Sequence, residues 1–262
     1  MVSELGLGAM DTPTSNKGLD TLTTAIDHGI NFVDTAREYP GSEYLISQAF
    51  NIRQNNAVFI STKTFSRTKD GSQYEIDKSL NTLGVTKIHL YQLHDVSTLK
   101  TWEQIMEIGG ALAGLKIAQA RGLIDHIGIS SHNLYILEKA IISGCFATIM
   151  LEYSAFYTKT DYLINKAKEM DIGVIVMRPL GGSGTMSNLR NKIKTLKQLP
   201  EINPSKLLQY VLSNPNISTV IPGCRFPSRV HDNIKLASNY LPFSPSQKKD
   251  FEKMAIEFFI AD

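Results

Sequence analysis

Four side chains in the first part of the sequence have complementary chemistry: Asp34, Tyr39, Lys63 and His94. A free phenol titrates near pH ~10 and is a poor proton donor at neutral pH unless its surroundings tune it. A neighbouring ammonium favours the phenolate and lowers that value. A buried lysine in turn needs a counter-ion, which Asp34 can supply. A histidine can hydrogen-bond a carbonyl oxygen and orient it. The set suits proton transfer to a carbonyl oxygen, or proton removal from an alcohol. None of the four can supply a hydride, so a redox cofactor has to. Each also has an ordinary reading: Lys63 and Asp34 as a plain ion pair, Tyr39 as loop packing, His94 as a satisfied rim histidine. The remaining histidines, His28, His89, His126, His132 and His231, show no grouping, and no metal site is expected.

What favours the functional reading is where these residues fall. β-Branched runs at 4–8, 31–34, 58–62, 88–93, 126–129, 147–151, 173–177 and 219–221 read as strands. Helical patterns at 18–28, 43–50, 74–83, 101–121, 134–143, 161–170, 205–212 and 228–238 alternate with them, and a last helix is expected at 246–259. Such alternation implies an α/β fold with a parallel sheet, and this many units suggest a closed (β/α)8 TIM barrel in a single domain, residues 1–262. An open doubly wound sheet would carry a glycine fingerprint after its first strand. Gly6-Leu7-Gly8-Ala9-Met10-Asp11 lacks the third glycine. Catalytic groups of such barrels sit at the C-terminal strand ends. Strand two ends in Asp34 with Tyr39 in the following loop, strand three in Lys63, and strand four in His94 and Asp95. Successive strands therefore bring the four side by side. The longest irregular stretch is 181–204, basic at Arg190, Lys192, Lys194 and Lys197.

Composition sets wider bounds. A chain of 262 residues with 42% hydrophobic and 20% charged residues is neither disordered nor low-complexity. A net charge of +2 argues against a nucleic-acid partner. Cys145 and Cys224 are too few for a disulfide framework, and the N-terminus, Met1-Val2-Ser3-Glu4-Leu5, has no secretory-signal character. No apolar run is long enough to span a membrane. The expectation is a cytoplasmic protein without a membrane or nucleic-acid partner, acting on a small carbonyl or alcohol, with its oligomeric state open.

A cofactor end is also visible. After the last strand comes Pro222-Gly-Cys-Arg225-Phe-Pro227-Ser-Arg229, with Pro227 suited to a first helical position. The free N–H groups of a helix start favour a phosphate, and Arg225 and Arg229 flank this one. An adenosine 2′-phosphate fits there, so NADP(H) is expected over NAD(H).

These segments resemble the aldo-keto reductase family. Asn31-Phe-Val-Asp34-Thr-Ala-Arg-Glu-Tyr39, Ser61-Thr-Lys63 and Leu90-Tyr-Gln-Leu-His94-Asp are similar to its signature. Gly6-Leu-Gly-Ala-Met10, Ile127-Gly-Ile-Ser-Ser-His-Asn133 and Val220-Ile-Pro-Gly223 match further segments. The resemblance implies a (β/α)8 barrel that interconverts carbonyls and alcohols with NADP(H). It implies Tyr39 as general acid/base, Lys63 lowering its pKa, Asp34 pairing with Lys63, and His94 placing the carbonyl. It also implies cofactor contacts at Gly8, Ala9, Met10, Asp34, Ser130, Ser131, Met177, Arg178, Leu180, Gly182, Ile221, Gly223, Arg225, Arg229, Asp232 and Asn233.

The sequence departs from the family pattern in places. Gly223 stands where many relatives have Lys, Met150 where many have Gln, Ser131 where Asn is usual, and Met177 in place of an aromatic nicotinamide platform. Relatives often begin with a hairpin that plugs the barrel floor; here strand one comes almost at once. Bare apolar side chains at that end are expected, with lower stability or a covering partner. Tyr39, Trp102 and Tyr153 are candidates to line a substrate pocket. Two alternatives stay open: a cofactor-binding, redox-sensing regulatory subunit with little turnover, and an inactive relative.

Overall fold

The computed structural model describes residues 1–53, 58–195 and 201–260. Strands and helices alternate along the chain. β1 (Leu7–Gly8) leads through a short 3₁₀ helix (Ala9–Asp11) into α1 (Asn16–Asp27). β2 (Phe32–Asp34) and α2 (Ser42–Arg53) follow, then β3 (Phe59–Thr64), α3 (Lys69–Leu83) and β4 (Ile88–Leu93). Next come α4 (Leu99–Met106), α5 (Ala111–Ala120), β5 (Ile124–Ser130), α6 (Leu134–Ser143), β6 (Thr148–Glu152) and α7 (Asp161–Glu169). The last part holds β7 (Gly173–Met177), α8 (Gly182–Thr195), α9 (Pro204–Leu212), β8 (Thr219–Val220), α10 (Pro227–Ala237) and α11 (Pro245–Ile260).

The eight strands form one sheet in sequence order, each pair parallel. The first and last segments meet: Gly6 N–H donates to Val220 O (2.8 Å), Val220 N–H to Glu4 O (2.8 Å) and Gly8 N–H to Pro222 O (3.2 Å). This closes the (β/α)8 barrel that the alternation predicts. Gly8 makes the closure possible, because a Cβ there would lie 2.9 Å from the Ile221 carbonyl oxygen.

Strand alternation sorts the side chains. Leu7, Val33, Ile60, Tyr91, Ile127, Ile149 and Val174 belong to the main core under the helices. Phe32, Leu90, Met150, Ile175 and Ile221 form a separate cluster inside the barrel. Two residues further along β2 and β4 the interior turns polar, with Asp34 and Gln92 buried beside Ser61 and Lys63. That change from apolar to polar positions the site. At the opposite end Val2 and Phe59 pack against the interior cluster. Ser3 N–H donates to Asn31 Oδ1 (2.6 Å) and Asn31 N–H to Ser3 Oγ (3.1 Å), fixing the segment there. The floor expected to be bare is thus covered in part by Val2.

Two elements differ from the sequence expectation. The helix expected at 101–121 is broken into α4 and α5. A Cβ at Gly110 would meet the Gln104 carbonyl oxygen at 2.3 Å, and Lys69 N–H bonds Gly109 O at 2.7 Å. The chain turns there because glycine allows backbone to approach backbone. The stretch expected to be irregular, 181–204, contains α8. Gly181 turns at a φ of 86° and Met186 packs against the core, and this packing overrides local propensity. Of its basic residues, Lys197 lies outside the described residues. No described helix is long and apolar enough to cross a membrane.

Candidate active site

The C-terminal rim of β2, β3 and β4 gathers the four residues singled out first. Register aligns Asp34 with Ser61, and Lys63 with Gln92. Lys63 Nζ lies 2.6 Å from Asp34 Oδ2 and 2.6 Å from the Thr35 carbonyl oxygen. Both side chains are almost wholly buried, at 1% and 4% exposure. The other carboxylate oxygen of Asp34 accepts from Ser61 Oγ (2.8 Å) and Gln92 Nε2 (3.3 Å). Each member of the pair therefore has hydrogen bonds besides the one between them, which a buried pair needs in order to persist.

Tyr39 sits over this pair, its ring centroid 5.2 Å from Lys63 Nζ. Two of the three N–H groups of the ammonium go to Asp34 and Thr35, and the phenol is not tuned downward as expected. Burial pushes the Tyr39 phenol well above its ordinary value, and the carboxylates of Asp34 and Glu38 add to that, with Arg178 opposing. His94 meets Tyr39 edge-on at 5.7 Å and stacks on Phe65 at 4.3 Å with 12° between the planes. Its Nδ1 lies 3.1 Å from Glu38 Oε2, and Glu38 Oε1 accepts the Phe65 N–H at 2.7 Å. Burial alone would raise the Glu38 carboxyl, but the hydrogen bonds from His94 and Phe65 hold it below the usual range. Sequence reasoning passed over Glu38. Its only signal was a carboxylate directly before the tyrosine.

A second group lies at the ends of β5, β6 and β7. A cavity of about 270 Å³ is lined by Ser131, His132, Leu137, Glu152, Tyr157, Thr160 and Arg178. Arg178, in the left-handed region at a φ of 53°, binds Glu152 at 3.1 Å, with His132 Nδ1 at 3.7 Å. Burial would raise the Glu152 carboxyl, but His132 and Arg178 hold it down. Glu152 was also missed. The hydroxyls of the two serines serve the backbone: Ser130 Oγ accepts from Asp95 N–H (2.9 Å) and Ser131 Oγ from Asn133 N–H (3.0 Å). Met150 is buried in the interior cluster, and Met177 packs against it from the rim. Leu180 packs on the main core and Gly182 opens α8.

The third group is the β1–β8 edge. Gly8 and Ala9 are buried, whereas Met10 is 70% exposed. Ile221 belongs to the interior cluster, and a Cβ at Gly223 would lie 3.2 Å from Asp11 Oδ2. α10 starts with Pro227, which has no N–H, and has no side-chain cap; the Arg229 N–H bonds the Phe226 carbonyl oxygen at 3.0 Å, which leaves the Ser228 N–H to face an anion at this positive helix end. Arg225 reaches Asp11 at 3.3 Å and Arg229 reaches Asp232 at 3.5 Å; both pairs are exposed and cheap to break. Asn233, on the same helix, donates from Nδ2 to Cys224 Sγ (3.4 Å). Trp102 and Tyr153 do not line the site. Trp102 packs in the core near Phe146, and buried Tyr153 bonds Tyr210 (3.2 Å) and Lys248 (2.9 Å).

The protein is a (β/α)8 barrel with tyrosine, lysine, aspartate and histidine clustered at the C-terminal rim of β2 to β4. The family model of the aldo/keto reductase family matches residues 4–256, and the chain belongs to that family. An uncharacterized oxidoreductase of Bacillus subtilis, YqkF, is 28% identical, over 90% of this chain and 88% of that protein. The fold matches the holo form of the aldo-keto reductase AKR11C1 from Bacillus halodurans, with a TM-score of 0.80, 22% identity and coverage of 97% and 92%. It also matches an aldo/keto reductase from Klebsiella pneumoniae solved with NADP and acetate, with a TM-score of 0.76, 20% identity and coverage of 97% and 92%.

Proposed function

We propose that this oxidoreductase reduces an aldehyde or ketone to an alcohol, or runs the reverse reaction, with NADP(H). The observation that carries the reading is the buried Lys63–Asp34 pair beneath Tyr39, with His94 at its edge.

The cofactor reading rests on the uncapped start of α10 between Arg225 and Arg229, and on the glycine approach at Gly8. Arg229 and Arg225 would hold the 2′-phosphate, and Asp232 would flank it. Met177, packed on the buried cluster that includes Met150 and Ile221, presents an apolar surface on which a flat ring can pack. When bound, NADPH supplies the hydride. The residues then act as follows. Tyr39, kept protonated by burial, gives its proton to the carbonyl oxygen as that oxygen gains alkoxide character. Lys63 and Asp34 fix the floor under the phenol, and the ammonium stabilises the phenolate left behind. His94 orients the oxygen.

The test is a fluorescence titration with NADPH and NADH in parallel, followed by turnover on a panel of aldehydes and ketones. Tight NADPH binding, weaker NADH binding and NADPH oxidation with at least one carbonyl compound are expected. Binding of neither nucleotide would overturn the reading. Binding without turnover would favour a sensing role.

A further inference from the structure

We propose that Glu38 is a positioning residue that holds the His94 proton on Nδ1, so that Nε2 meets the substrate as a bare acceptor in the neutral ring and as a donor only in the imidazolium. This rests on the reading of His94 as the residue that faces the substrate oxygen.

The geometry carries the proposal. Glu38 Oε2 lies 3.1 Å from Nδ1, and Glu38 Oε1 is tied to the Phe65 N–H at 2.7 Å. The carboxylate is thus anchored to backbone at one oxygen and aimed at the ring with the other. An ionised carboxylate only accepts hydrogen bonds, so Nδ1 must donate. Its depressed proton affinity agrees with that state. The ring cannot turn away, because Phe65 stacks on one face and Tyr39 packs at the edge. Nε2 has no hydrogen-bond partner among the described residues. The imidazole has one proton when neutral; if Nδ1 holds it, Nε2 is unprotonated.

The consequence is a dependence on the charge of the ring. A carbonyl oxygen offers only lone pairs and needs a donor, which this ring provides only when charged. In the reverse direction the alcohol gives its single O–H proton to Tyr39, so the same charged ring serves both directions. The charged groups around the ring are Glu38 before it, Lys63 on β3, Arg67 beyond β3 and the adjoining Asp95. Arg67 Nη2 binds the carbonyl oxygens of His94 (2.6 Å) and Asp95 (3.1 Å). Asp34 and Arg178 act at the neighbouring Tyr39.

The experiment uses the full chain labelled with ¹⁵N-histidine. Long-range ¹H–¹⁵N correlations report which ring nitrogen carries the proton, and His94→Gln identifies the His94 signals. The expected result is a protonated Nδ1 in the neutral ring of the wild type, and a shift to protonated Nε2 in Glu38→Ala. A protonated Nε2 in the wild type, or no change in Glu38→Ala, would overturn the proposal. A kinetic arm separates positioning from a merely structural role. Wild-type kcat for carbonyl reduction should fall by up to about tenfold per pH unit as the ring loses its charge. In Glu38→Ala, whose neutral ring can donate, that fall should flatten to under about threefold per unit. One common factor lost at every pH would contradict the proposal. Failure of the reductase reading shows separately, as absent wild-type turnover with the Nδ1 proton still in place.

Discussion

Asp34→Ala removes one partner of a buried ion pair and leaves three donors behind. Lys63 Nζ loses its carboxylate, and Ser61 Oγ and Gln92 Nε2 lose their shared acceptor. With Lys63 at 1% exposure, the ammonium cannot turn to water. Removing one member of such a pair costs about 3–5 kcal/mol. In a chain of this size, each kcal/mol moves Tm by about 2–4 °C, so a drop of roughly 6–20 °C is expected. The companion variant carries Asp34→Leu with Lys63→Met. Replacing a buried pair by apolar groups is close to neutral, and Ser61 and Gln92 still bond each other at 2.8 Å. The double variant should therefore stand within about 2 kcal/mol of the wild type while losing turnover. Urea denaturation followed by circular dichroism gives both values. A single variant within about 1 kcal/mol of the wild type, or a double variant as unstable as the single, would refute the reasoning.

Other consequences follow from the same structure. Arg229→Ala should weaken NADPH by at least about tenfold and leave NADH almost unchanged, as read by fluorescence titration; equal losses would remove the 2′-phosphate assignment. Burial pushes the Cys224 thiol up to about 11, so it should alkylate far more slowly in the native protein than in urea. Mass spectrometry of iodoacetamide-treated samples checks this, and equal rates would contradict it. Glu152 is held below its ordinary value, so its contribution to stability is present above the unfolded carboxyl pKa and is lost as pH falls through the lower folded one. Glu152→Gln should make the urea midpoint less sensitive to pH across that acid range; an unchanged slope would count against the Arg178–Glu152 pair.

Where sequence and structure agree, a strong local signal was present. Val58 to Lys63 and Ile88 to His94 alternate or run apolar and then end on a polar residue, so strand, face and rim position could be read together. The four residues at the rims of β2 to β4 followed from that. What escaped notice depends on the third dimension. The carboxylates Glu38 and Glu152 look like solvated charges in sequence; only folding places His94 against one and Arg178 against the other. Asn233 and Tyr153 point to Cys224 and Lys248, contacts from 9 and 95 residues away along the chain. The direction of the Tyr39 shift was misjudged because burial of the phenol, which the sequence does not display, is its largest cause, and the charges of Asp34 and Glu38 add to it. α8 was missed because the sequence does not display the packing that holds it.

The most direct test of the central claim compares Tyr39→Phe with the wild type in a single-turnover reaction of bound NADPH with an aldehyde the wild type reduces. Phenylalanine keeps the ring against His94 and removes only the hydroxyl group that carries the proton. The account predicts nearly unchanged NADPH affinity and a loss of at least about 10²-fold in the rate of NADPH oxidation. A variant that retains the wild-type rate would contradict it, and the proton would have to come from elsewhere.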